Sequence, residues 1–374
     1  MAGALRAERA HVAFVGGTRA EAQLVPAAGY ELRTISVEGL SRANPLRAAR
    51  ALLRAALAFP RARAILRALG PDAVLGGGGY VAGPVGLAAL SLRIPLVLTE
   101  ADSHLGLANR LLARGARRVC LAFPIPGREG RRYRVTGRPI PVPDADRGEA
   151  RARFGIAEEE TCVLVFGGSL GARSINLAAF AAFAGAGAKA VEDSSEVAGA
   201  DAGETAGESF ATGLHDDGPS VRVLHIAGRR DYPELASRQL PSGSYDLREY
   251  LDLDEFAQAL AAADLVVARS GGSVFEIAAY GLPAILVPYP HASADHQTAN
   301  ARWMADAGAA VVIPDRELTG ARLARELAAL LGDRERLTTM AAASRGLARP
   351  EAARDVACEL LAAAGAASGR AART

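Results

Sequence analysis

Four short segments of this 374-residue chain hold residues whose types and spacing suit binding chemistry. The first is Phe166-Gly-Gly-Ser-Leu-Gly-Ala-Arg173, lying between an apolar run and a helical one, Ser174–Phe183. Glycines at a strand-to-helix turn let backbone N–H groups approach an anion, and the helix N-terminus adds partial positive charge. With Ser169, Gly171 and the charge of Arg173, this reads as a candidate phosphate turn; a purely structural tight turn has the same composition. The second is Ala268-Arg-Ser-Gly-Gly-Ser-Val-Phe-Glu276, where Ser270, Gly271, Gly272 and Ser273 form another N–H-rich turn before a helix, Val274–Tyr280. Glu276, one turn into that helix, is placed to accept two hydrogen bonds from vicinal hydroxyls, as acids do with a ribose; its other reading is a first-turn complement to the helix dipole. The third, Pro288-Tyr-Pro-His-Ala-Ser-Ala-Asp-His-Gln-Thr-Ala-Asn300, gathers His291, Asp295, His296, Gln297 and Asn300, amide and imidazole groups that suit a hydroxyl-rich ligand such as a sugar. No third ligand at metal spacing accompanies its histidines, and Asp295 also reads as a helix cap. The fourth pairs Gly76-Gly-Gly-Gly-Tyr-Val-Ala-Gly83 with Thr99-Glu-Ala-Asp-Ser-His-Leu-Gly-Leu-Ala-Asn109. There Glu100, Asp102 and His104 are candidate acid–base groups at a strand end, against the alternative of ordinary loop polarity.

Something must position these segments. Short β-type runs at His11–Gly16, Asp72–Gly76, Pro95–Glu100, Arg117–Ala122 and Tyr133–Thr136 alternate with Ala- and Leu-rich helical stretches. After a proline-rich linker, Pro139–Asp146, the pattern restarts at Thr161–Phe166, Val221–Ile226, Leu265–Ala268, Ala284–Pro288 and Ala310–Ile313. Alternation of this kind predicts parallel sheets covered by helices, and the length predicts two doubly wound α/β domains, residues 1–140 and 147–345. A helical tail, 349–367, is expected to pack back on the first. Residues 185–219, rich in Gly, Ala, Ser, Glu and Asp, read as a flexible acidic insertion.

Half the residues are hydrophobic, which excludes general disorder. No apolar run reaches the length of a membrane span, and the N-terminus lacks the apolar stretch of a secretion signal. Cys120, Cys162 and Cys358 form no CxxC pair and read as buried small hydrophobes in a reducing compartment. The net charge of +2 conceals an asymmetry: residues 1–138 hold 21 Arg against 8 acids, leaving −11 for the remainder. That balance points to an anionic partner for the first half, unless it reflects arginine-rich codon usage. Residues 41–70 carry seven Arg and no acid, interleaved with Leu46, Leu52, Leu53, Leu57 and Phe59.

Together the four segments resemble the MurG family of glycosyltransferases, which move N-acetylglucosamine (GlcNAc) from UDP-GlcNAc to lipid I, undecaprenyl-pyrophosphoryl-MurNAc-pentapeptide. GGSLGAR is similar to the family's GGSQGAR loop, with Leu170 where Gln is usual. ARSGGSVFEIAAYGLPAILVPYPHASADHQTAN is similar to its nucleotide-sugar signature, and GGYVAGPVGLAA and TGRP to first-domain motifs. The resemblance implies a GT-B fold, two Rossmann-like domains facing across a cleft, and inverting transfer with no tightly bound metal or cofactor. It implies that Glu276 binds the ribose, that Arg173 and the turn from Ser270 contact the diphosphate, that Leu251 offers its backbone to uracil, and that His296 and Gln297 read the GlcNAc hydroxyls. It also brings Arg138 into the substrate-binding set, where Asn is usual, and gives residues 41–70 an anionic membrane surface as partner, with no nucleic acid. A peripheral enzyme on the cytoplasmic face of the cell membrane is the expectation. The chain opens where the resemblance places a helix, Ala2–Arg9; no counterpart of the family's first strand, GGTGGH-type loop and loop histidine is expected. Gly16-Gly-Thr-Arg19 reads as a different turn, and Ala227 stands in HIAG where Ser often contacts phosphate. Two further classes stay open: another GT-B enzyme, such as a glycolipid glycosyltransferase or a UDP-GlcNAc 2-epimerase, and a non-catalytic UDP-GlcNAc-binding protein.

Overall fold

A computed structural model describes residues 1–37, 45–168, 170–183, 220–238, 244–292 and 295–371, with side chains described outside 45–52 and 367–371. Ser169, residues 41–44 and the acidic segment 185–219 lie outside the described residues. The chain divides into two units, Met1–Ile140 with Arg349–Thr374, and Pro141–Ala348.

The first unit runs α1 (Ala2–Ala7), β1 (Ala13–Gly16), α2 (Glu21–Ala27), β2 (Glu31–Thr34), α3 (Pro45–Leu69), β3 (Val74–Gly76), α4 (Gly79–Ser91), β4 (Leu96–Glu100), α5 (Leu107–Leu112), β5 (Arg118–Leu121) and β6 (Tyr133–Val135). Among the described residues, β1 pairs only with β2, while β3-β4-β5-β6 form a second parallel sheet. One apolar core nevertheless spans both: Ile35 beyond β2 packs with Ala62 and Leu66 of α3, Val85 and Ala88 of α4, and Leu96 and Leu98 of β4. Successive strand residues face opposite sides, so Val97 and Cys120 point the other way and meet Val356 and Ala363 of the C-terminal helix, Ala352–Ala371. Both faces being covered explains why the inner strands read as continuous apolar runs.

Glu359 fastens that helix to the sheet edge. It accepts from Arg118 Nε and from Arg134 Nη1, each at 2.7 Å. Burial pushes its carboxyl up, but the hydrogen bonds from Arg134 and Arg118 outweigh this and hold it below the ordinary glutamate range. Burial pushes the thiols of Cys120 and Cys162 up to about 12. Cys358, expected to be buried, is exposed on the outer face of the C-terminal helix.

The second unit contains α6 (Arg147–Arg153), β7 (Thr161–Phe166), α7 (Arg173–Phe183), β8 (Val221–Ile226), α8 (Tyr232–Ala236), β9 (Tyr245–Arg248), α9 (Leu253–Ala262), β10 (Leu265–Ala268), α10 (Val274–Ala279), β11 (Ala284–Leu286), α11 (His296–Asp306), β12 (Ala310–Val312), α12 (Gly320–Leu331) and α13 (Arg334–Leu347). Among the described residues its strands form one parallel sheet, ordered β12-β11-β10-β7-β8-β9. The chain enters at the centre, winds outward through β8 and β9, then returns to build β10, β11 and β12 on the other side. The order therefore reverses between β7 and β10, and open α/β sheets bind ligands at the carboxyl ends of strands flanking such a reversal. Strands β2 and β9 were not legible as apolar runs. Each lies at a sheet edge and alternates charge into its sequence, Glu31 and Arg33 in one, Asp246 and Arg248 in the other.

Replacing Glu359 with Ala leaves Arg118 without its carboxylate and Arg134 with only Asp355, and should lower stability by about 1–3 kcal/mol. Because the folded carboxyl is held low, this contribution is present above the ordinary glutamate range and lost as pH falls below it. The urea midpoint at neutral pH and at pH 4 measures both; equal midpoints for variant and parent at neutral pH would overturn the assignment.

Candidate functional site

The two glycine-rich turns leave β7 and β10, the strands that flank the reversal. In the first, Gly168 and Gly171 have φ of +97° and +86°, a region L side chains rarely adopt. The close approach at Gly171 is stricter still: a Cβ there would stand 2.1 Å from the carbonyl oxygen of Ala227, in the turn after β8. The N–H of Gly171 donates to the carbonyl of Gly168 at 2.9 Å, so Gly171 shapes the turn and its amide is already occupied. This corrects the expectation that its N–H faces an anion. Arg173 opens α7 with its side chain 54% exposed and ion-paired to Glu234 of α8, which Arg238 also holds at 2.6 Å. The Arg173 hydrogen bond outweighs desolvation and keeps the Glu234 carboxyl below its ordinary range. Arg173 therefore already holds a carboxylate partner at the start of α7.

Beneath this turn lies a polar relay that no sequence motif announced. Asn176 of α7, buried, donates through Nδ2 to the Ala227 carbonyl and to Asp231 Oδ2, both at 2.9 Å. Its Oδ1 faces His225 Nε2 at 3.0 Å, and His225 Nδ1 meets the Tyr245 hydroxyl at 2.6 Å. With both Nδ2 hydrogens engaged, Oδ1 must accept, so Nε2 carries the imidazole proton and Nδ1 accepts from Tyr245. Burial lowers the His225 pKa to about 4, keeping the ring neutral. The relay pins the carbonyl against which Gly171 packs.

In the second turn the hydroxyl of buried Ser270 donates to the Gln297 carbonyl at 2.8 Å, and the Ser270 carbonyl accepts from Asn300 Nδ2 at 3.0 Å. Ser270 thus builds the turn with its side chain turned inward. Among the described residues, the N–H groups of Gly271, Gly272 and Ser273 donate to no other group. Glu276 stands half-buried in the first turn of α10. Gln297, in the first turn of α11, accepts at Oε1 from the Tyr289 N–H at 2.9 Å, which leaves Nε2 as its donor end, 3.8 Å from where a Cβ of Gly271 would stand. His296 precedes it at the helix start, and Asp295, at the N-cap with φ of +53°, makes no side-chain bond to the helix amides; its Oδ1 accepts from Thr298 Oγ1 at 2.6 Å. Leu251 is buried in the turn after β9, next to Tyr250, over whose ring Arg229 stacks at 4.4 Å. Seven positions expected from the sequence, Arg173, Leu251, Gly271, Gly272, Ser273, Glu276 and Gln297, therefore lie in loops or helix starts at the carboxyl end of one sheet of the second unit. No group of three or more His, Cys, Asp or Glu among the described residues forms a metal-binding cluster.

In the first unit, Glu100 is buried and its carboxylate accepts from the N–H groups of Ala101, Asp102 and Gly106 and from Asn109 Nδ2, at 2.8–3.3 Å. A carboxylate with four donors shapes the loop after β4; Asp102 and His104, half-buried on that loop, are the groups it presents. Arg138 follows Gly137, whose φ of +82° and contact with Arg349 admit no side chain. In the Gly16–Arg19 turn the Gly17 N–H donates to Glu21 Oε1 at 2.9 Å, so a carboxylate of the chain itself fills the mouth of that turn.

Comparison with known proteins identifies the family. The N-terminal domain of glycosyltransferase family 28 matches residues 1–121, and its C-terminal domain matches residues 162–356. The chain belongs to glycosyltransferase family 28. A relative from Moorella thermoacetica is 41% identical over 352 residues, covering 91% of this chain and 87% of its own. Another from Rubrobacter xylanophilus is 40% identical over 370 residues, covering 97% and 98%. Both are named UDP-N-acetylglucosamine--N-acetylmuramyl-(pentapeptide) pyrophosphoryl-undecaprenol N-acetylglucosamine transferase. Among solved structures, Acinetobacter baumannii MurG superposes with a TM-score of 0.71 at 27% identity, covering 96% of this chain and 93% of that one. The calicheamicin glycosyltransferase CalG4 shares the fold at TM-score 0.62 and 18% identity, with 97% and 93% covered. The fold is GT-B.

For this family 28 chain, the relay predicts a pH signature. The folded imidazole has a lower pKa than a free one, so the unfolded state binds the extra proton between about pH 6.5 and 4. Stability should therefore fall as pH drops through that window and recover above it. Urea midpoints at pH 7, 5.5 and 4.5 test this: His225→Gln should flatten the acid slope, and an unchanged slope would overturn the assignment.

Proposed function

We propose that this chain transfers GlcNAc from UDP-GlcNAc to lipid I with inversion at the anomeric carbon, forming lipid II. The observation that carries this reading is the convergence, at the strand-order reversal of the second unit, of two glycine turns, an acid and an amide, in a chain about 40% identical over most of its length to transferases of that name. In this reading the open amides of Gly271, Gly272 and Ser273 meet the diphosphate, Glu276 accepts from the ribose hydroxyls, Gln297 donates through Nε2 to the sugar, with His296 beside it, and Leu251 offers its backbone to uracil. Arg173 leaves Glu234 to balance the charge that grows on departing UDP, a role that preorganised donors and cations fill without a change of covalent structure. Asp102 and His104 are the candidates for taking the acceptor hydroxyl's proton, and Arg138 for meeting acceptor phosphate.

The first unit supports a peripheral membrane reading. Ala58, Ala62 and Leu66 turn the inner face of α3 into the core, whereas Leu53 and Leu57 are 61% and 66% exposed. Helix α4 packs beside α3, and α5 beside α4. They add exposed Leu87, Leu107 and Leu111, with Arg110 and Arg114 alongside. Exposed leucines ringed by arginine suit an anionic lipid surface on the cytoplasmic side, the apolar groups entering the boundary and the cations meeting headgroups. No described helix is long and apolar enough to cross a membrane.

Labelled UDP-GlcNAc and lipid I should yield labelled lipid II and UDP; absence of transfer, or release of a 2-epimer without acceptor, would overturn the assignment. Glu276→Ala should weaken UDP-GlcNAc by about 1.5–3 kcal/mol in calorimetry, the range for a hydrogen-bonded charged group. Leu57→Glu should reduce binding to phosphatidylglycerol vesicles about tenfold in co-sedimentation while leaving UDP-GlcNAc affinity unchanged, since burial of one leucine supplies about 1.5–3 kcal/mol. Unchanged sedimentation would exclude α3 from the membrane face.

A further inference from the structure

Arg269 follows β10 at the root of the second glycine turn, where its charge invites a diphosphate role. Its surroundings say otherwise. The side chain is only 11% exposed and is paired with Asp315 Oδ1 at 2.6 Å. The same Nη1 also lies 3.1 Å from the Val287 carbonyl and 3.2 Å from that of Pro288, where β11 ends. Nη2 donates to Ser174 Oγ at 2.8 Å, and Ser174 in turn donates to Asp315 Oδ1 at 2.6 Å. The Tyr289 ring closes over the guanidinium at 5.4 Å.

One guanidinium therefore joins four segments far apart in the chain: the first turn of α7 beside Arg173, the exit of β10, the exit of β11, and the turn at Asp315–Glu317. The β11 connection has a direct continuation. Pro288 leads into Tyr289, whose N–H fixes Gln297 Oε1 and so turns the amide Nε2 toward the Gly271 turn. A planar fork can satisfy two carbonyls, a carboxylate and a hydroxyl lying in different directions; a lysine ammonium on its flexible stem lacks that geometry.

We infer that Arg269 is a specificity-positioning residue: through Pro288 and Tyr289 it sets the Gln297 amide that recognises the sugar of the donor, and through Ser174 it holds that loop in register with the phosphate turn. The inference rests on the donor reading given above. It separates Arg269 from the ligands of the UDP half. Loss of its fork loosens the sugar-reading loop, while the second glycine turn keeps the bonds from Ser270 Oγ to the Gln297 carbonyl and from Asn300 Nδ2 to the Ser270 carbonyl.

Calorimetry with UDP and with UDP-GlcNAc tests it on the full-length parent, Arg269→Lys, Ser174→Ala and Asp315→Asn. Arg269→Lys should weaken UDP-GlcNAc about tenfold, the equivalent of one or two hydrogen bonds, and UDP by less than about threefold. Ser174→Ala, which removes one bond and leaves the charge pair, should show a smaller loss confined to the sugar nucleotide, and it tests the inference if Arg269→Lys fails to fold. Asp315→Asn keeps an acceptor oxygen and should stay closer to the parent than Arg269→Lys. Equal weakening of both ligands would make Arg269 a diphosphate ligand or a general support, and no weakening of either would remove its role; both results overturn the inference. A parent chain that binds neither UDP nor UDP-GlcNAc would overturn the donor reading itself.

Discussion

The carbonyl oxygen of Ala227 occupies the space that a side chain at position 171 would need, and much of the second unit's binding end follows from that contact. The turns after β7 and β8 can touch backbone to backbone only if residue 171 is glycine in the left-handed region, and only if the buried carbonyl keeps a donor. Asn176 supplies the donor, His225 orients Asn176, and Tyr245 orients His225. Each link is buried, and a buried polar group without its partner costs about 1–3 kcal/mol, so the chain of bonds has few alternative arrangements. Helix α7 is thereby held with its N-terminus, and Arg173, at the strand reversal.

A comparable economy governs the other loops. In each unit one ionic group with little exposure gathers loop ends that carry half-buried polar residues. Glu100 collects three backbone amides and the Asn109 amide, leaving Asp102 and His104 on the loop it shapes. Arg269 collects two carbonyls, a carboxylate and a hydroxyl, leaving Gln297 and the open amides of the second turn. Saturated charges of this kind are poor reagents and good scaffolds, since their hydrogen-bonding capacity is already met.

The surfaces divide the remaining work. Arginine dominates the first unit, and the leucines that α3, α4 and α5 leave exposed lie among those charges. In the second unit arginines are largely paired, with Glu234, Asp264, Asp246 or Asp315 among their partners. A single chain thus combines an arginine-rich unit with one whose arginines are largely neutralised by neighbouring carboxylates.

Sequence alone determined the strand-rich interior, the two α/β halves and the turns most loaded with glycine, because those features depend on neighbours a few residues apart: apolar runs for buried parallel strands, glycine where φ turns positive, a helix start after each turn. It also placed Arg173 and Glu276 at the helix starts that follow those turns, and Gln297 in the polar segment after Pro288. Only the tertiary structure decided what surrounds them. The edge strands Glu31–Thr34 and Tyr245–Arg248 were hidden by their charges, since an edge has water rather than core on one side. The partners of Arg173, His225 and Arg269 lie 61, 49 and up to 95 residues away, at Glu234, Asn176 and Ser174. Which of them meet depends on the winding of the sheet, in which β10 returns to lie beside β7, and local pattern carries no record of that order. The pairing of β7 with β8 brought the Ala227 carbonyl against Gly171, and the return of β10 beside β7 made Arg269 the tie between the loops.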